Sequence, residues 1–233
     1  MGDPVTLTEL DCDSADTALG SLSVLTKIEA PELTRRMLTI PLDEFETRSA
    51  GMGVHGATAW LWRRLVDSDE APPVPDVVYW FHATRVLRDT DFRDGLLPLP
   101  AAAARLEDLF GPSRRSRAFR EKMEHRASWR PFGHLVREAA FSPMQNHFFN
   151  APEAVVDLGY DLDAYREATV PCLVKFRARD SREDVAELAL LYCYFATWGQ
   201  PADWDCSTTW SGDGNAVQRE DIIRVDFLEG ESF

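Results

Sequence analysis

Lysine is nearly absent from this 233-residue chain: the 25 basic residues are 22 arginines and 3 lysines, set against 39 acids for a formal charge of −14. That balance excludes broad, sequence-independent nucleic-acid binding, which needs a positive field, but not a local basic groove. Arginine forks bind phosphate and carboxylate in bidentate fashion, and heavy arginine use equally reflects a GC-rich genome; composition does not separate the two. Cysteine is also scarce. Cys12, Cys172, Cys193 and Cys206 form no CxxC pair and no Cys/His cluster with zinc spacing, so the expectation is buried free thiols in a reducing cytoplasm, without a metal. No apolar run reaches the roughly 20 residues that span a bilayer. The acidic start, MGDPVTLTELDCDSAD, lacks the basic and apolar regions of a secretory signal, so a cytoplasmic protein is expected. Walker A, GxGxxG, GxSxG and HExxH patterns are all missing, which removes the commonest nucleotide, serine-hydrolase and metalloprotease readings.

What is present is an ordinary globular composition, 45% hydrophobic and 27% charged. Residues 1–75 hold 13 acids and 6 bases; the first twenty or so read as weakly ordered, and 54–66 as one amphipathic helix. The stretch 67–76, DSDEAPPVPD, cannot continue a helix and reads as a linker. The expected division is therefore an acidic extension over 1–76 and a main domain over 77–233. In the main domain, VVYWFH (77–82) reads as a buried strand, 85–94 as a short polar helix ending at Gly95, and 100–110 as a helix. Residues 112–137 read as helical, broken near Pro131. A short strand is expected at 147–149, a helix or turn over 151–166, and strands at 171–177, 216–219 and 222–228. The apolar run 184–198 suits a buried element, helix or strand.

Residues 112–137 invert the acidic bias. Arg114, Arg115, Arg117, Arg120, Lys122, Arg126, Arg130 and Arg137 stand against Glu121 and Glu124, a local net of +6. Such a run binds a nucleic acid or phosphoprotein, or is a solvated helix face. Trp204 and Trp210 lie in the polar loop 199–214, where an exposed indole can stack on a base or anchor a partner.

His82, Ala83 and Thr84 follow an apolar strand, and Gly95-Leu96 follows a short polar segment. Together with Asn146-His147-Phe148-Phe149-Asn150, Tyr160, the strand PCLVKFRA and the ending REDIIRVDF, this order resembles the ADP-ribosyltransferase superfamily in its diphtheria-toxin and poly(ADP-ribose)-polymerase branch. The resemblance covers residues 77–228. It implies an α+β fold with a split, mostly antiparallel sheet, and NAD as co-substrate of a mono-ADP-ribosyltransferase, a glycosyltransferase reaction in a bacterial toxin or phage-defence setting. His82 would anchor a ribose hydroxyl. Thr84, Gly95 and Asn215 would line the cofactor, and Arg85 would face its pyrophosphate. Phe148, standing where the family has Tyr, and Tyr160 would flank the nicotinamide. The family's catalytic Glu precedes the strand beginning at Val217; here Asp213-Gly214-Asn215 occupies that place, making Asp213 the candidate carboxylate ahead of Glu220. The missing Glu equally fits a catalytically inactive member that binds a nucleotide or a partner protein. A related RNA 2′-phosphotransferase would need phosphate-gripping arginines at strand positions, and none can be assigned.

Overall fold

The computed structural model describes residues 7–68, 70–129, 131–179, 182, 184–201, 208–210 and 214–229. Within them the fold is α+β: ten helices and an open, mostly antiparallel sheet of six strands. In chain order they are β1 (Glu9–Leu10), α1 (Ala15–Thr26), α2 (Ala30–Met37), α3 (Leu42–Ser49), α4 (Gly53–Val66), β2 (Val77–Leu87), α5 (Leu99–Phe110) and α6 (Arg117–Glu124), followed by β3 (Gly133–His134), α7 (His147–Asn150), α8 (Glu153–Leu158), α9 (Leu162–Ala168), β4 (Thr169–Ala178), α10 (Asp184–Thr197), β5 (Thr209–Trp210) and β6 (Ile222–Phe227). The strand order is β5-β3-β2-β4-β6, and β1 adds to β2 in parallel, Glu9 opposite Val77.

The chain forms two compact units, each discontinuous in sequence. One comprises 1–80, 134–142 and 178–208; the other comprises 81–133, 143–177 and 209–233. The expected division at 76/77 is therefore not the line along which the chain packs. The first 76 residues also carry four helices where the sequence suggested one. Local signals explain the extra ones: Ser14 and Thr17 form a reciprocal capping box at the start of α1. In α2, Pro31 sits in the first turn, and Glu32 meets both Arg35 and Arg36 one turn on.

In the first unit α10 is the hub. It packs against α1, α2 and α4, and Val185, Ala186, Ala189, Leu190 and Tyr194 are wholly buried. The Tyr194 hydroxyl donates to the Ile40 carbonyl at 2.9 Å, and Phe45 meets the Phe195 ring edge-on. The second unit is built on β4, buried along Thr169–Phe176, with β6 antiparallel beside it, Val174 opposite Val225. A satellite core joins α5, α6 and α8 through Ala103, Phe119 and Leu158. Cys12, Cys172 and Cys193 are buried free thiols; burial pushes the Cys172 thiol up to about 12. Among the described residues no helix is long and apolar enough to cross a membrane, and no cluster of His, Cys, Asp or Glu is arranged to hold a metal.

Candidate functional site

The strand predicted to end at His82 runs on to Leu87. Thr84 and Val86 are β-branched and keep the backbone extended, so the polar helix expected over 85–94 does not form. His82 thus sits mid-strand, half-buried, with Nδ1 2.5 Å from the Phe132 carbonyl. A carbonyl only accepts, so Nδ1 carries the proton and Nε2 keeps its lone pair. Burial holds the imidazole below its ordinary pKa, against the opposing pull of the Phe132 carbonyl. The ring is neutral at pH 7.

Phe132 also stacks on Phe148, centroids 6.4 Å apart and planes 24° off parallel, and the His147 ring lies 4.1 Å from Phe148. Phe132 therefore bridges His82 and Phe148. Residues 147–150 are the helical turn α7, where a strand was expected. Phe148, Phe149 and Ala151 bond back to Gln145, Asn146 and His147, and Pro152 stops the turn.

The turn at Gly95 brings in the end of the chain. Leu96 and Val217 exchange two backbone hydrogen bonds of 3.0 Å. Gly95 has φ +72°, and a side chain there would be driven into the Val217 carbonyl. This single bridge replaces the strand predicted over 216–219. Two residues earlier, exposed Asn215 accepts from Arg126 Nη2 at 3.3 Å, and Gly214, also at positive φ, lies against the Arg126 backbone. Gly95, Val217, Asn215 and Arg126 are thus one neighbourhood. Asp213 lies outside the described residues, as does Trp204; Glu220 is exposed on a short turn over Arg219–Asp221.

Two expected contacts are replaced by structural roles. Arg85 does not present a free fork to a pyrophosphate. Its Nε donates to Thr169 Oγ1, Nη1 to the Phe149 carbonyl, and Nη2 to the carbonyls of Arg166 and Thr169, at 2.8–3.1 Å. The guanidinium ties α7, α9 and β4 to β2. Tyr160 packs in the α5–α6–α8 core, its ring 5.9 Å from Phe110 and its hydroxyl on the Gly111 carbonyl. That is core packing, and no contact joins it to His82. Thr84 is half-buried on β2, and Trp210 lies edge-on to Phe176, packed inward.

No known protein family, curated protein or solved structure matches the chain. The site therefore stands on its own geometry. It offers a neutral imidazole able to accept a hydroxyl proton and an aromatic pair joined to it through Phe132.

The basic run is more neutral than its composition suggests. Arg115 is bidentate to Glu107, Arg117 pairs with Glu121, and Lys122 pairs with Glu153 and Asp157. Arg137 belongs to the other compact unit, where it faces Asp13. Arg120 is exposed with one Nη on the Arg115 carbonyl, Arg114 is exposed, and Arg126 holds Asn215. Phe132 is the site residue that the sequence did not single out, since it sits in no motif; Arg126 stood out only as one of the basic run, not as the partner of Asn215.

Proposed function

We propose that the protein binds NAD⁺ and acts as a mono-ADP-ribosyltransferase. The observation that carries this reading is the His82–Phe132–Phe148 group beside the extended β2 strand. A neutral Nε2 suits a ribose hydroxyl, and an aromatic pair suits a planar nicotinamide. Breaking the bond between nicotinamide and ribose passes through an oxocarbenium-like state, which a carboxylate stabilises as charge develops. Asp213, or failing it Glu220, is the carboxylate this reading requires. Among the described residues of the basic run, Arg114, Arg120 and Arg126 are the candidates to meet a macromolecular acceptor.

The test is incubation of the purified protein with NAD⁺, following free nicotinamide and, separately, NAD⁺ binding by calorimetry. His82→Ala should abolish binding. Asp213→Ala should leave affinity nearly intact and cut release about 100-fold, with Glu220→Ala losing far less. The absence of the family's Glu before Val217 favours a second reading, a nucleotide binder without turnover: binding without release would select it. Absence of both binding and release overturns both readings.

A further inference from the structure

β6 ends the sheet on one side. β4 pairs with it, and among the described residues no strand pairs with its outer edge. The Leu228 amide donates to the Pro171 carbonyl, and the register continues as Phe227 opposite Cys172 and Val225 opposite Val174. In an antiparallel ladder backbone groups alternate in direction. Asp226 and Arg224 therefore turn theirs toward β4, while Val225 and Phe227 turn theirs outward. Large apolar side chains accompany that open edge: Ile223 is 47% exposed and Phe227 44%. An edge of this kind is a template for another strand.

We infer that a second copy of this chain pairs with β6, antiparallel, about a two-fold axis at Val225. The sequence Ile223-Arg224-Val225-Asp226-Phe227 is its own complement in that register and in no neighbouring one. Ile223 falls opposite Phe227 of the partner subunit, Arg224 opposite Asp226 of the partner subunit, and Val225 opposite itself. Moving the axis to Arg224 or Asp226 sets like charges against each other, as does parallel pairing. A closed two-fold contact requires such self-complementarity. The charges are already placed for it: within one chain Arg224 Nε lies 2.9 Å from Asp226 Oδ1, so both project from one face of the strand. Pairing two copies completes a ring of four alternating charges. The next ionised pair outward, Asp221 opposite Glu229 of the partner subunit, would repel, but Arg177 and Arg88 of the same chain neutralise these acids at 3.2 and 2.7 Å. The bulge that displaces Ile223 from the β4 register ends the regular ladder at that side and keeps the contact short, as edge bulges do.

Sedimentation of the full chain tests this. The expected result is a concentration-dependent dimer. Arg224→Asp and Asp226→Arg, each of which sets like charges in opposition, should weaken it at least tenfold, and the combined swap should restore it. Far-ultraviolet dichroism checks that each variant is folded. Should a charge variant fail to fold, Phe227→Ser serves instead and must weaken the dimer at least tenfold. A chain that stays monomeric at millimolar concentration overturns the proposal. So do charge variants that dimerise like the parent, or a combined swap that stays monomeric.

Discussion

The helix α10 and the strand β4 are each the most buried segment of their unit, and their sequences are nearly unbroken apolar runs. Hydropathy alone does not separate them. What does is the type of apolar residue. α10 carries three Ala and three Leu in fourteen residues, side chains that lose little freedom on a helix. β4 carries Thr169, Val170 and Val174, plus Pro171, which a helix interior rejects. Each run also sets a charged side chain against a different partner. Glu187 accepts from Thr58 at 2.8 Å, whereas Lys175 holds its ammonium 5.7 Å from the Phe81 ring centroid.

The neighbours of the two segments differ as well, and the same truncation in each should expose that. Leu190→Ala and Leu173→Ala both empty sites at or below 1% exposure, with an expected loss of about 2–5 kcal/mol each. Helices around α10 can slide to fill a void; strands bonded to β4 cannot. Leu173→Ala should therefore fall at the upper end and Leu190→Ala at the lower, read from urea unfolding. The reverse order would break the comparison.

Next in size is Arg85→Met, which takes one donor from each of three backbone carbonyls and the Thr169 hydroxyl. A loss of about 3 kcal/mol is expected, and Arg85→Lys should recover little of it, since one ammonium cannot span four acceptors. An unchanged urea midpoint would show that the clamp is dispensable. Tyr194→Phe removes one hydrogen bond to Ile40 and should lower stability by about 1 kcal/mol.

The smallest effects are in pH dependence, and the two units should respond with opposite sign. Burial raises the Glu187 carboxyl in the first unit, with Asp184 adding to it. Its charged form is disfavoured by folding, so stability falls as pH rises above 4.5, and Glu187→Gln should flatten that slope. In the second unit, bonds from Arg115 and Ser113 hold Glu107 at about 2. This half-buried carboxylate contributes above 4.5, and its contribution is lost as pH falls toward 2; Glu107→Gln should remove that acid-side loss. Thermal melts between pH 3 and 7 distinguish the two.

Much of the fold was legible in local patterns: α4, α5, β4 and β6 lie within a few residues of where periodicity, Pro and Gly put them. The α+β class, expected from the family resemblance, is the class the structure shows. The failures have particular causes. His147-Phe148-Phe149 looks like a strand by propensity, yet Pro152 and the turn before it close it into α7. Residues 85–94 lack a helical apolar face, and Arg85 is held extended by acceptors 64 to 84 positions away. Of the candidate site, His82, Phe148, Gly95 and Asn215 could be singled out from sequence. Their companion Phe132 could not, because no spacing announces a contact made by chain reversal, and Arg126 stood out only as one of the basic run, not as the partner of Asn215. Arg85 and Tyr160 were misread for the same reason: their residue types suit a ligand, and the fold supplied protein partners instead.

The packing of α10 against α1, α2 and α4 carries a cost in time as the chain is made. About 120 residues separate the end of α4 from the start of α10. At about 5–20 residues per second, that is roughly 6–24 seconds of synthesis. Throughout it, three helices stand outside the ribosome with the surfaces meant for α10 uncovered. The amino-terminal segment is thus the part of the nascent protein most in need of a chaperone, although in the finished molecule it encloses one of the best-buried helices.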